Sequence, residues 1–404
     1  MRNVVYVAPF PMDTTLRFSR GLASLAHTRL LGVFQELPPP DEARHFDDLV
    51  RVADALDPDS IAQGIEHLAR RYGPPDRITG ILEPLQVPLA RVRKHFGVDG
   101  PSVQTAERFR DKALMKETMR HHGIPCARHR LLRAGHEGLE FAAEVGLPVV
   151  LKPPAGAGCR ATWRIDDHAS LVQAMASLQP SPQAPVLAEE FLRGREFSFE
   201  TVTLGGVVQA HSISQYLPGP LEVMQTPWMQ WVCVLPRDIS GSEFDGVREM
   251  GARVVQVLGL EDGVTHMEWF RREDGTLAVG EIAARPPGGQ LTRMTGLVHD
   301  VDIYRAWGRA VVDGAFDGPW RRQYAAGTAF LRGIGRGRVA RVDGIDAAQA
   351  RIGHLVAEAK LPRVGAPKAD TYEGDGYVIV RHPDTEVVRE ALRILIETVK
   401  VHYA

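Results

Sequence analysis

The stretch from Gly263 to Gly289, GVTHMEWFRREDGTLAVGEIAARPPGG, places the tightest limits on what this chain can fold into. Val264 to Phe270 and Leu277 to Ile282 are apolar, strand-prone runs separated by the turn-forming Glu273-Asp274-Gly275, which reads as a β-hairpin. Each strand carries one acid. If the loop holds four residues, Glu273 to Thr276, Glu268 lies opposite Glu281 on one face, where two bare carboxylates repel and a cation belongs between them. A three-residue loop closed by Gly275 puts the acids on opposite faces unless a bulge restores the register. Beyond Glu281 the chain leaves through Arg285-Pro286-Pro287-Gly288-Gly289, which cannot continue a strand and brings a permanent cation close to the acids. Two carboxylates, an arginine and a glycine-rich exit are suitable parts for holding a magnesium-bound polyphosphate. The competing reading is a surface hairpin with solvated charges.

The 404 residues supply apolar material for more than one core, so two to four domains are expected. A formal charge of −2 with interspersed acids and bases gives no basic field for nucleic acid, and a small anionic substrate would need local pockets of Lys and Arg. Cys126, Cys159 and Cys233 lack metal-ligand spacing and suit a reducing compartment. Val4 to Ala8 is stopped by Pro9, too short for a signal-peptide core, and no run approaches the ~18 apolar residues of a membrane span. The expectation is a cytoplasmic protein with no membrane partner.

Along the chain, Val4 to Ala8, a helix over Thr15 to Leu25 and Leu30 to Phe34 read as a β-α-β start. A polar, acidic helical stretch follows Pro38-Pro39-Pro40, then a helix capped by Ser60 and a third strand at Ile78 to Leu82. This alternation implies a mainly parallel sheet. No G-x-G-x-x-G follows the first strand, which argues against a dinucleotide site there. A charged helix over Arg108 to His122 contains Asp111-Lys112, and a strand over Val149 to Lys152 runs into Pro153-Pro154-Ala155-Gly156-Ala157-Gly158, whose backbone amides are free to approach phosphate. Taken alone, that loop is equally a plain turn. Val186 to Leu192 reads as a strand, and Glu196 to Leu204 with Val207 to Ser214 as a hairpin. A helix over Glu243 to Leu258 leads to the opening stretch. Strands at Ala326 to Leu331, Arg338 to Val342 and Tyr377 to Arg381 precede a last helix from Asp384 to Val399. The arginines between Arg332 and Arg338 lack neighbouring aromatic platforms and read as a glycine-rich turn.

Read in order, these segments resemble the ATP-grasp superfamily: Asp111-Lys112, Val149 to Pro153 with its glycine-rich loop, Glu189-Glu190-Phe191-Leu192 with Glu196, Glu268, and Glu281-Ile282-Ala283-Ala284-Arg285. The resemblance implies an α/β (α+β) chain with an N-terminal Rossmann-like pre-ATP-grasp domain at 1–100. It further implies an ATP-grasp subdomain with the phosphate-binding loop at 101–190, a second with the metal site at 191–320, and a C-terminal mixed α/β subdomain at 321–404. It assigns ATP phosphates to Lys112, Lys152 and the Gly156 and Gly158 loop, the adenine edge to the backbone of Glu189 to Leu192, and the ribose to Glu196. Glu190 is expected to be half-exposed, with a carboxylate that does little. Glu268 and Glu281 become ligands of magnesium, with manganese as an alternative, and Arg285 lies beside the transferred phosphate and acyl group. Arg285 and Lys152 carry the catalytic roles. His266 joins them as a group that could touch substrate or act on the incoming amine; a structural imidazole is the competing reading. Ala283 stands where many members have an Asn metal ligand.

The function so implied is an ATP-dependent carboxylate–amine ligase. It resembles the branch that joins amino acids, with small carboxylate and amine substrates, an acyl-phosphate intermediate and a homodimer left open. A biotin-carboxylase-like carboxylation and a nucleotide-binding regulatory module without turnover are the alternatives. Met224 to Trp231, rich in large side chains that include Trp228, lines either an acceptor pocket or the core.

Overall fold

A computed structural model of the protein describes residues 1–156, 161–226 and 229–404. Gly158, Cys159 and Trp228 lie outside the described residues.

The first sheet is parallel, in the order β3-β2-β1-β4, from β1 (Arg2–Ala8), β2 (Thr28–Phe34), β3 (Asp48–Arg51) and β4 (Arg77–Thr79). Alternate residues of β1 feed two cores. Val5 and Val7 pack with Leu31, Val33 and Ile65, while Val4, Tyr6 and Ala8 pack with Phe18 and Leu22 of the helix Asp13–Ala23. A strand covered on both faces needs an unbroken apolar run, and Val4 to Ala8 provides it. β3 escapes the sequence reading because its Asp-Leu-Val-Arg pattern is short and half-polar. The following helix, Pro58–Tyr72, is capped by Asp57 accepting from Ser60 N–H, so the cap lies three residues before Ser60. β4 is shorter than the apolar run suggests; the chain turns at Glu83–Leu85 and carries Glu83 out of the sheet.

The second sheet, β5-β8-β6-β7, is antiparallel and comprises β5 (His129–Leu132), β6 (Val149–Lys152), β7 (Trp163–Ile165) and β8 (Val186–Glu190). Two helices, Gly135–Val145 and His168–Leu178, cover it. The charged helix before it is broken. Val103–Arg110 ends and Lys112–His121 begins at Asp111, whose side chain accepts from the N–H groups of Ala113 and Leu114. Aspartate competes with the helix for its own first-turn donors, so it starts a new helix in place of continuing the old one.

The third sheet has eight strands. β9 (Gly194–Leu204), β10 (Val207–Leu217), β11 (Trp231–Leu235), β12 (Gly263–Arg272), β13 (Leu277–Ala283), β14 (Ala325–Leu331), β16 (Val356–Lys360) and β17 (Gly376–His382) lie in the order β13-β12-β9-β10-β11-β14-β17-β16, and β15 (Val339–Asp343) pairs separately with β18 (Lys400–Tyr403). One face is packed by the helix Asp245–Leu258 through Val247, Val254 and Leu258, against Phe199, Met267 and Trp269. The helix Thr385–Thr398 covers the β14 and β17 end. Trp231, a pocket candidate from sequence, is 2% exposed and stacked on Phe330 at 4.5 Å, and its edge lines the cleft described below. Core packing and pocket wall are therefore one role.

Candidate active site

The hairpin reaches its geometry by the less direct of the two routes. Arg272 N–H donates to Thr276 O at 2.8 Å and Gly275 N–H to Arg272 O at 2.9 Å, which closes a three-residue loop, with Gly275 at φ 83°. The loop is thus one residue shorter than the four-residue alternative. Trp269 pairs with Val279 and Phe270 with Ala278, a register that by itself puts the two acids on opposite faces. A bulge between Glu268 and Trp269 restores it, and Glu268 pairs with Glu281. Gly280 makes the bulge affordable: a Cβ there would lie 3.2 Å from Glu268 O and 3.0 Å from the Phe270 ring. Lys116 Nζ donates to the Gly280 carbonyl.

Around the acids lies a cleft of about 750 Å³ built from all three large sheets. Lys112, the first residue after the Asp111 cap, is 4% exposed; its Nζ lies 3.4 Å from Glu281 Oε2 and donates to Gly156 O at 2.9 Å. Arg110 holds the same loop through Gly156 O and Ala155 O, at 2.9 and 2.6 Å. Lys152, at the end of β6, lies 2.9 Å from Glu189 Oε2 and 3.8 Å from Glu281 Oε2. Burial pulls the Lys152 pKa down, but Glu189 and Glu281 outweigh it and raise it overall, so the ammonium is retained. Burial likewise pushes the Glu281 carboxyl up, and Lys112, Lys152, Lys116 and Arg285 overcome that and hold it at about 2.

Glu196 and Glu268 are less well provided for. Burial, then the nearby Glu268 and Glu281, push the Glu196 carboxyl well above the usual carboxylate range. The Glu196 carboxylate makes no ion pair or hydrogen bond among the described residues. Among the described residues the Glu268 carboxylate has only His266 Nε2 as an ion-pair partner, at 3.7 Å. His266 donates through Nδ1 to Glu200 Oε1 at 2.9 Å; burial lowers its pKa, but bonds to Glu200 and Glu268 lift it to about 9. His266 thus links Glu200 to Glu268 and lines the cleft.

Arg285 sits where the chain leaves β13. Its Nε and Nη2 donate to Glu83 Oε2 at 3.2 and 3.0 Å, and Nη1 donates to Pro286 O at 3.0 Å. Burial lowers its pKa and Glu83 more than restores it. Glu83, 6% exposed and delivered by the parallel sheet, also pairs with Arg110 at 3.1 Å. Sequence reasoning missed Glu83, Lys116 and Glu200. The sequence reading stops its third strand at Leu82 and singles out no role for Lys116, although Lys116 follows Lys112 by one helical turn and so shares its face.

At the hinge, Glu189 differs from a backbone-only role: its carboxylate is buried between Lys152 and Lys116, the latter at 3.4 Å. Glu190 departs further from expectation. Its carboxylate accepts from Arg128 N–H, Arg128 Nε and Arg272 Nη2 at 3.0, 2.7 and 3.1 Å, and so clamps the hinge to two neighbouring segments. Glu190 N–H donates to Arg128 O and Phe191 N–H to Pro148 O, which leaves Leu192 N–H as the free hinge donor among the described residues.

Among the described residues no group of three or more His, Cys, Asp or Glu has metal-site geometry. The donors nevertheless fit magnesium. Glu268 and Glu281 are paired hard oxygen donors on one face beside Glu196, which has no ion-pair partner among the described residues, and this ion completes its shell with phosphate and water. Ala283, 6% exposed and paired with His266, supplies no third ligand. No helix among the described residues is long and apolar enough to cross a membrane.

Comparison with known proteins bears on this arrangement. The model of the ATP-grasp domain matches residues 117–294. The L-arginine-specific L-amino acid ligase of Bacillus subtilis is 26% identical over 267 residues, 65% of this chain and 64% of that protein. The N-terminal section of the carbamoyl phosphate synthase large chain of Aquifex aeolicus is 24% identical over 204 residues, 48% of this chain and 35% of that protein. The chain thus spans less than two thirds of the length of these curated relatives. Among solved structures, an L-amino acid ligase from Bacillus licheniformis superposes with a TM-score of 0.81 at 18% identity, covering 100% of this chain and 99% of that one. N5-carboxyaminoimidazole ribonucleotide synthetase from Thermotoga maritima gives 0.71 at 18% identity, with 100% of both chains covered. The matched domain contains both acids, Lys152 and Arg285, and the fold is shared end to end with that of an L-amino acid ligase, so residues 117–294 are similar to an ATP-grasp domain set within a fold of that kind.

Proposed function

We propose that the protein is an ATP-dependent carboxylate–amine ligase. It passes the γ-phosphoryl group of ATP to a substrate carboxylate, and an amine attacks the resulting acyl phosphate with release of ADP and phosphate. The observation that carries the reading is the convergence in one cleft of Lys112, Lys152, Glu268, Glu281 and Arg285, where Glu196 and Glu268 have no full cationic partner among the described residues.

In this reading Leu192 N–H takes the adenine edge and Glu196 the ribose hydroxyls. Lys112 and Lys152 bind the phosphates as point charges, exchanging Glu281 and Glu189 for phosphate oxygens. Magnesium held by Glu268 and Glu281 would neutralise charge on the β and γ phosphates. Arg285 turns its fork toward the substrate carboxylate and the transferred group, while Glu83 fixes the guanidinium plane. Phe18, Ile81, Leu82, Leu291 and Trp231 give the acid end of the cleft apolar walls, which favours an acid with an apolar side chain. The similarity to L-amino acid ligases supports an amino acid as the acid substrate.

The test is a pool of amino acids and amines assayed for magnesium-dependent ADP and phosphate release. Hydroxylamine should trap an acyl hydroxamate when ATP and the right acid are present without amine. AMP and pyrophosphate as products would sink the reading. The absent third ligand at Ala283 favours, as a second reading, a nucleotide-binding module without turnover; ATP binding with no ADP formed from any acid–amine pair would select it.

A further inference from the structure

Glu200 belongs to the same sheet face as the metal pair but lies beyond His266, away from the nucleotide. The register pairs Glu200 with His266 on one side and with Ser212 on the other. Oε1 accepts from His266 Nδ1 at 2.9 Å. Oε2 is buried and has no hydrogen-bond partner among the described residues, although Glu200 is only 7% exposed. Arg322, which also senses Glu200, turns its donors elsewhere: to Pro236 O at 3.0 and 2.6 Å and to Ser212 Oγ at 3.1 Å. A buried carboxylate oxygen without a protein donor is costly unless a ligand or water meets it.

Glu200 lines a second cavity of about 50 Å³, walled by Phe18, His299, Trp307 and Trp320. Burial and Arg322 keep the His299 pKa at about 4, so that ring is neutral. Aromatic faces around one carboxylate suit a small organic or inorganic cation. On a scale where one water needs ~10–15 Å³, the cavity takes an ammonium group and a carbon or two, and excludes a whole amino-acid side chain. Phe18, Pro286 and Pro287 line both this cavity and the main cleft, so the cavity adjoins the cleft at the exit that follows Arg285.

We infer that the Glu200 cavity is the amine subsite, holding the ammonium group of the second substrate, either ammonium itself or the head of a small primary aliphatic amine, on Glu200 Oε2. The inference rests on the ligase reading for its meaning, and its test is built to fail separately. Crystals of the wild-type protein soaked in rubidium chloride, an ammonium-sized cation with an anomalous signal, should show density beside Glu200 Oε2 that methylammonium displaces. Glu200→Gln should lose the site and Glu200→Asp should keep it. A water alone in the cavity, or rubidium that methylammonium leaves in place, overturns the inference, whatever the assay for ADP shows. In kinetics, Glu200→Gln should raise the KM for the amine on the order of tenfold more than the KM for ATP, with partial rescue in Glu200→Asp. Equal changes in both constants would mark Glu200 as a structural partner of His266 and overturn it as well.

Discussion

Two clusters of buried charge join the sheets of this protein, and they are finished to different degrees. Glu358 on β16 accepts from Arg17 Nη2 at 2.6 Å, Arg293 Nε at 2.7 Å and Tyr377 Oη at 2.8 Å. Both of its oxygens are taken, and the helix Asp13–Ala23 is thereby latched to the eight-stranded sheet. In the cleft, by contrast, Glu281 is crowded by lysines while, among the described residues, Glu196 has no ion-pair partner and Glu268 only a distant imidazole. A closed cluster is a joint, whereas an open one stores unfavourable electrostatics that a ligand can relieve.

The largest expected effect tests the open cluster. Glu281→Gln should lower turnover on the order of 10²–10³-fold, the scale for loss of a group that stabilises charge in the transition state, while circular dichroism reports an intact fold. Retained turnover would return Glu281 to a structural role beside Lys112. Lys152→Ala should come next, with weaker ATP binding by calorimetry and a rate reduced on the order of 10²-fold. If the affinity for ATP is unchanged, Lys152 serves Glu189 alone.

Arg285→Lys should cost roughly tenfold, since an ammonium cannot reproduce the two parallel bonds of the guanidinium. Equal falls in kcat and kcat/KM would place the arginine in the transition state; a raised KM for the acid at constant kcat would make it an anchor. The smallest effect belongs to the closed cluster. Glu358→Gln should leave kinetics near wild type and reduce stability by about 1–2 kcal/mol in denaturant melts, because the group is partly solvent-screened. Burial raises the Glu358 pKa, but bonds from Arg17, Arg293 and Tyr377 bring it down from 4.5 to about 2. Its folded pKa is below its unfolded one, so the latch contributes fully above pH 4.5 and is lost as pH falls toward 2. Wild type and Glu358→Gln should therefore converge in stability at acid pH, and a gap that persists at pH 2 would disprove the latch.

Local pattern was enough for the elements whose signals are contiguous. The β-α-β start, β6, β9 with β10 and the Asp245–Leu258 helix all follow from runs of apolar residues and their stops. The strands Asp48–Arg51, Trp163–Ile165, Val356–Lys360 and Lys400–Tyr403 did not, because an edge or short strand carries few apolar residues and takes its pairing from neighbours far along the chain. Likewise the acids of the hairpin, the lysines and Arg285 were legible as residues with a spacing and a resemblance. Their charge balance was not.

That division has a physical origin. Which residues can bind phosphate or a hard cation is a property of their side chains and of the turn and strand signals beside them, so the chemistry of the cleft was written in the chain order. Whether Glu268 and Glu281 face each other depended on a bulge at Gly280, which turns on one close approach between strands. Glu83 reaches Arg285 across 202 positions, and Lys116 reaches Gly280 across 164. Contacts of that separation leave no periodicity in the sequence, since they are set by how whole sheets pack. Only the folded chain decides which carboxylate is neutralised, which is left open, and so where a ligand is needed.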